Sequence, residues 1–348
     1  MRTLLTRLAL AALFAVALGA CDNDERGCAG SVGADDFGDG RFASLRATLD
    51  AACEAGDIND YAFELGTADG VLARLTSGNL DEDRAVFIAS AGKPVAAAVI
   101  LSLVEDGVLE LDVPVARWLQ GDARNTEAAQ RVTLRQLLNH TSGLPTSPPC
   151  LSDTSHTLAS CATAILRAGS AFAPGSRFAY GGGSYQVAGL VAQQAANRSW
   201  QQLVDARVAN PVGADLTFTP LVNPRIAGGI VANVRDLGDV QRAILARDPA
   251  LLNATNMQRL RTDQVNGLPM ERPPVVSATG YSFGLWFEDP ALLEDSDGPE
   301  LSAPGFLGTV PWLDDDRGYY AVVLLNAESY REGLALQRTL RSRILDAL

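Results

Sequence analysis

Ser90 and Lys93 stand three residues apart in the stretch FIASAGKPVAAAVI, and Lys93 is the single lysine among 28 basic side chains. A general preference for arginine accounts for the others, because an exposed arginine does what an exposed lysine does. It does not account for the exception. A guanidinium stays protonated at any working pH, whereas a buried ammonium can give up its proton and act as a base. Position 93 is therefore expected to need an amine that can be neutral. A serine hydroxyl is a poor nucleophile until such a base takes its proton, so Ser90, three residues away, is the candidate partner of that amine.

Such a pair has to be held by a helix. Pro94 lacks an N–H and is tolerated in the first helical turn, which places a helix start close to Ser90. On that helix i and i+3 share a face, and the N-terminal partial charge favours both an alkoxide and a neutral amine. Lys93 itself precedes a proline, a position biased away from helical angles. The continuation VAAAVILSLVEDGVLELD reads as a buried helix ending near Gly107. Upstream, Phe42, Leu45, Leu49 and Ala52 recur at helical spacing, and YAFELGTADGVLARLTSG reads as a strand pair. Residues 131–270 carry helical periodicities, such as YQVAGLVAQQAA, and short strands return with YSFGLWFE and YYAVVLLN. An amphipathic helix over 332–348 closes the chain. Strands at both ends around a helical middle predict an α/β (α+β) domain whose sheet is assembled from both chain termini, with an all-helical insertion over about 116–270.

The 348 residues are 47% hydrophobic, enough for a large core. Arg2 and Arg7 precede an apolar run from Leu8 to Leu18, too short to span a bilayer and suited to a signal peptide over 1–20. It ends in Leu18-Gly19-Ala20-Cys21, which resembles a bacterial lipobox, so Cys21 is the expected lipidation point and a lipid anchor the expected membrane contact. Residues 21–40 are acidic and Gly-rich, a linker ahead of a domain over 41–348. The formal charge of −13 becomes −15 once Arg2 and Arg7 are removed, which excludes a nucleic-acid partner. With Cys21 acylated, Cys28, Cys53, Cys150 and Cys161 form an even set for an oxidising, periplasmic compartment. Three pairings are open, and the shortest loops join Cys28 to Cys53 and Cys150 to Cys161. Two histidines and paired cysteines leave no metal site and imply no cofactor.

The segments SAGK (90–93), LLNHTSGLP (137–145), FAYGGGSYQVAG (178–189) and AGGIVANVRDLGDV (227–240) follow one another in the order of serine hydrolases related to class C β-lactamases, serine D-Ala-D-Ala peptidases and their esterase relatives. The resemblance covers roughly 41–348 and implies the β-lactamase/transpeptidase-like fold, a sheet flanked by helices with an inserted helical region. Carried over by position, Ser90 becomes the acylated nucleophile, Lys93 its base and Tyr180 a second proton-transfer group. The backbone N–H groups of Ser90 and Phe306 become the oxyanion hole. Two positions depart from the family pattern. The asparagine expected two residues after Tyr180 is Gly182, and the Lys-Thr-Gly of the sheet edge is Ala303-Pro304-Gly305. Gly182, Ser302, Ala303, Gly305 and Trp312 are thus the expected substrate-binding positions, with Ser302 a hydroxyl contact and Trp312 an apolar wall.

The resemblance implies an exported serine hydrolase acting on esters or small amides. The alternatives are a β-lactamase or D-Ala-D-Ala carboxypeptidase, and an inactive binding or sensor domain of the same fold. His140 is expected to be structural. Gly280-Tyr281-Ser282-Phe283-Gly284 matches a G-x-S-x-G elbow, but that motif needs a helix after the serine and a downstream histidine, and no histidine follows His156.

Overall fold

In the computed structural model of the chain, residues 34–36, 40–271, 273–275, 277–289 and 299–348 are described. The leader over 1–20, Cys21 and the Cys28–Cys53 pairing lie outside the described residues. The chain opens with β1 (Ala34–Asp36), α1 (Ala43–Glu54), β2 (Tyr61–Thr67), β3 (Gly70–Ser77), β4 (Val86–Phe87) and α2 (Lys93–Glu105). The middle contributes α3 (Gly121–Arg124), α4 (Leu134–Leu138), α5 (Leu158–Ala168), β5 (Phe178–Ala179), α6 (Gly183–Ala196), α7 (Trp200–Val204), α8 (Asn210–Val212), β6 (Thr217–Phe218), β7 (Ile230–Ala232), α9 (Val234–Leu245), α10 (Ala254–Leu260) and β8 (Met270–Glu271). The chain finishes with β9 (Ala278–Tyr281), β10 (Trp286–Glu288), β11 (Leu301–Ser302), β12 (Val310–Asp314), β13 (Tyr319–Leu325) and α11 (Tyr330–Ala347).

The main sheet has the order β1-β3-β2-β13-β12-β11-β10-β9 among the described residues, antiparallel throughout. Early and late strands meet at β2–β13, so the two ends of the chain build one sheet around the helical middle. Period-2 alternation divides its side chains between two cores. Tyr319, Ala321, Val323 and Leu325 of β13 face α1 and α11, while Tyr320, Val322 and Leu324 face α2, α9 and the helical region.

Each helix is set by its apolar stripe. In α1, Leu45, Leu49 and Cys53 recur every fourth residue and are buried, and α11 matches them with Leu336, Leu340 and Ile344. Helix α2 differs: it is buried on every side from Lys93 to Leu103, as an apolar helix without a polar face must be. It lies between the sheet and the helical region, so its first turn is the natural meeting point of the two. Thr133, Thr157 and Ser199 cap α4, α5 and α7 with reciprocal capping boxes, fixing where each short helix begins. Cys150 and Cys161 are joined, the nearest-neighbour pairing, tying the turn over 149–151 to α5.

Candidate active site

Ser90 sits in a 3₁₀ turn, Ala89–Gly92, and the α-helix proper begins at Lys93. The helix start is thus one turn later than the sequence suggests, and Lys93 is helical (φ −63°, ψ −39°) despite the proline that follows. Packing overrides that local bias. Ala89, just before the nucleophile position, has φ +48°, a left-handed conformation that costs a non-glycine residue energy and that tertiary contacts must hold. Those contacts converge from three directions. Strand β4 pairs with β7, and the Ile88 N–H donates to the Ile230 carbonyl at 3.1 Å. Behind the turn, a Cβ on Gly284 would lie 2.7 Å from the Pro94 nitrogen, and Gly284 itself needs φ +106°. From the sheet edge, a Cβ on Gly305 would lie 2.1 Å from the Ile88 carbonyl oxygen. Only glycine lets that edge pass so close to Ser90, and this approach brings the backbone of Gly305 beside the turn.

The Lys93 ammonium is 2% exposed and donates to Ser90 Oγ at 2.8 Å and to the Ala227 carbonyl at 3.0 Å. Ser90 itself is half-buried. Tyr180 presents its ring face to the amine, with Nζ 4.6 Å from the centroid, and Tyr185 flanks it at 5.7 Å. The hydroxyl of Tyr180 bonds to neither Ser90 nor Lys93 among the described residues. Its place is fixed by the HTSGLP segment: the Ala179 N–H donates to the His140 carbonyl at 2.9 Å and the Gly182 N–H to the Thr146 carbonyl at 2.7 Å. The structure therefore brings Ser90, Lys93, Tyr180 and Gly305 around one turn, with Gly182 beside the Ala227 side chain. A buried amine hydrogen-bonded to the hydroxyl of a half-buried serine is an arrangement able to form and release an acyl-enzyme.

Two expected pocket residues are elsewhere. Ser302 and Trp312 are register partners between β11 and β12, so their side chains share a face. Trp312 is buried among the residues packed on α1 and α11, the side of the sheet away from Ser90. Ser302 is fully buried on that face with it. The error is one of strand parity: Ala303, one residue on, faces the α2 side and is 2% exposed. Phe306 is 59% exposed. Ser282 of the apparent elbow is buried, donates to the Leu260 carbonyl at 2.6 Å, and is followed by β10 rather than a helix.

Several site residues carried no chemical signal in the sequence. Ala227 contributes a backbone carbonyl, which a side-chain pattern cannot reveal. Tyr281 and Trp286 join Phe178, Tyr180 and His140 in an aromatic wall, with centroid separations of 4.6–6.4 Å. His140 is 1% exposed, has φ +58°, and neither ring nitrogen has a hydrogen-bond partner among the described residues. Burial, aided by the Lys93 charge, holds its pKa well below the usual histidine value. Burial likewise pushes the Tyr185 and Tyr281 hydroxyls up, so both stay neutral.

A stability effect follows with a definite sign. The unfolded chain takes up a proton at His140 near pH 6.5 and the folded chain does not, so the unfolded state binds more protons below that pH. Stability is expected to be unaffected by this residue above pH 6.5 and to fall by about 1.4 kcal/mol per pH unit below it. Urea denaturation at pH 7.5, 6.0 and 5.0 measures this, and His140→Phe should lose that part of the slope. An unchanged slope in the variant would assign the acid sensitivity to carboxyl groups instead.

Residues 54–344 match the family described as Beta-lactamase. Penicillin-binding protein 4 of Amycolatopsis lactamdurans is 30% identical over 185 residues, 51% of this chain and 48% of its own length. Esterase EstB of Burkholderia gladioli is 33% identical over 166 residues, 42% of this chain and 41% of its own. The chain thus spans about half or less of the length of these curated relatives. Among solved structures, a β-lactamase-assigned protein of Bacteroides dorei superposes with a TM-score of 0.75 at 28% identity, covering 86% of this chain and 98% of that one. The hydrolase EstCE1 superposes at 0.74 with 19% identity over 88% and 99% of the two chains, a likeness of fold alone.

Proposed function

The chain belongs to the β-lactamase family of serine hydrolases, and from that premise we propose that it hydrolyses carboxylic esters or small amides through an acyl-enzyme on Ser90. The observation that carries the reading is the buried Lys93 amine, 2.8 Å from Ser90 Oγ and steadied by the Ala227 carbonyl. In its neutral form Lys93 takes the Ser90 proton as Oγ adds to the substrate carbonyl. The oxyanion is held by the N–H groups of Ser90 and Phe306, aligned by the close approach of Gly305 to Ile88. Collapse returns the proton to the departing alkoxide or amine, with Tyr180, over the amine, as the second proton carrier. Water then attacks the acyl-enzyme, giving one proton to the same base, which passes it to Ser90 Oγ as the acyl–oxygen bond breaks and the carboxylic acid leaves.

Esters are favoured because two polar anchors are absent. Gly182 offers no side-chain amide, and Ala303 places a methyl where a cation would bind a substrate carboxylate. EstB is named an esterase, which agrees. The names of the penicillin-binding relatives favour the second reading, action on β-lactams or D-Ala peptides. The proposed setting is the cell envelope, with export and lipid attachment at Cys21, checked by incorporation of a labelled fatty acid that Cys21→Ser abolishes. Intact-mass analysis after a fluorophosphonate and, separately, a penicillin tests nucleophile and substrate class together. A fluorophosphonate adduct on Ser90 is expected, and its absence would sink the acyl-enzyme reading.

A further inference from the structure

The volume beside Gly182 is not empty. A Cβ built there would lie 2.7 Å from Leu151 Cδ1 and 3.7 Å from the Ala227 side chain. Ala227 is the residue whose carbonyl steadies Lys93. An aliphatic side chain therefore fills the place that a longer residue at 182 would take, next to the backbone that holds the base.

Leu151 is held there firmly. It ends the Pro149–Leu151 turn, and Cys150 within that turn is bonded to Cys161 of α5. The Cys150 carbonyl accepts from Asn223 Nδ2 at 2.9 Å, and Asn223 Oδ1 accepts from Gln186 Nε2 of α6 at 2.8 Å. Asn223 and Gln186 are both buried, so the turn is fastened to two helices by a covalent and a polar link. Leu151 itself is half-buried, packed against the main core with one side left open.

We infer that Leu151 is a specificity-determining residue, an aliphatic wall that receives the acyl portion of the substrate. It selects unsubstituted alkanoyl groups over acyl groups carrying an amide next to the scissile carbonyl. Such an amide would meet methyl groups and lose hydrogen bonds to water without replacement, whereas an alkyl chain loses none. The inference rests on the ester-hydrolase reading and names the substrate class of that same site.

The test combines kinetics with stability. In the Leu151→Ala protein the ratio of kcat/KM for an aryl butyrate to that for the aryl acetate should fall roughly tenfold, as loss of an apolar contact to two methylenes requires. Leu151→Met should restore the ratio to within about twofold. Independently of catalysis, Gly182→Asn should lower Tm in the natural background and lower it by less than half as much when combined with Leu151→Ala. An unchanged ratio, or equal loss on both esters, overturns the inference while fluorophosphonate labelling of Ser90 leaves the hydrolase reading standing. Additive Tm effects at 151 and 182 also overturn it, whatever the kinetics show. Absence of both labelling and ester turnover would instead bring down the proposed function, and the inference with it.

Discussion

Lys93→Arg is expected to lower kcat/KM for an activated aryl acetate by at least about a thousandfold, although charge and most of the side-chain length are kept. The amine lies in a 2% exposed site between Ser90 Oγ and the Ala227 carbonyl. A guanidinium cannot surrender its proton there, and its planar fork is larger than the amine held between Ser90 Oγ, the Ala227 carbonyl and the Tyr180 ring. Ser90→Ala should lose activity to the same extent, since nucleophile and base act as a unit. Ser282→Ala separates this site from the apparent elbow. Ser282 is buried and bonded to Leu260, so its loss should cost about 1 kcal/mol of stability and leave at least roughly a tenth of activity. Matching losses in the Ser282 and Ser90 variants, with both proteins folded by circular dichroism, would move the nucleophile to 282.

The second large effect concerns substrate class. Relative to a site with both polar anchors, contacts of about 1 kcal/mol to an acyl amide and about 2 kcal/mol to a carboxylate are missing, together roughly a hundredfold in kcat/KM. A short-chain ester uses neither contact. Ser302 offers no substitute hydroxyl, because its side chain lies on the far face of the sheet with Trp312. A chromogenic cephalosporin should therefore be turned over at least about a hundredfold less efficiently than an aryl butyrate. Cephalosporin turnover exceeding that of the ester would show that Gly182 and Ala303 were aligned to the wrong family positions. The comparison needs only steady-state rates on one preparation.

Where the site could be read from sequence, side-chain chemistry carried it. The lone lysine three residues from a serine, followed by proline, pointed to a pair that the structure holds 2.8 Å apart, and the spacing of Leu45, Leu49 and Ala52 located α1. Strand parity was the first thing out of reach. Assigning Trp312 and Ser302 to the pocket required knowing which face β11 turns to α2, and one residue of register exchanges the faces. Backbone donors and acceptors were the second. The Ala227 carbonyl and the approach of Gly305 to Ile88 depend on where two distant loops pass, and alanine and glycine say nothing of that. The neighbourhood of Leu151 and Gly182 was invisible for a third reason: a leucine in a Pro-rich turn reads as filler until its side chain is seen against the glycine across from it. At the helix onset the local bias at Lys93 misled, because packing holds it helical against the preference that Pro94 imposes.

The pairing of β2 with β13 also governs the order in which this molecule can come into being. Tyr320 donates to Glu64 across 256 residues of intervening chain, and the same two strands form the centre of the sheet. Until β13 has been synthesised, β2 has an unpaired edge and the apolar faces of α1 and β3 have only part of their cover. Closing so long a loop delays the contacts that reward it. Helix α9 waits on the same pairing, because it packs on β2 and β13. A chain emerging from its N-terminus would carry that sticky edge throughout its synthesis, so a truncation that removes only β13 and α11 should behave as an aggregating fragment rather than a shortened enzyme.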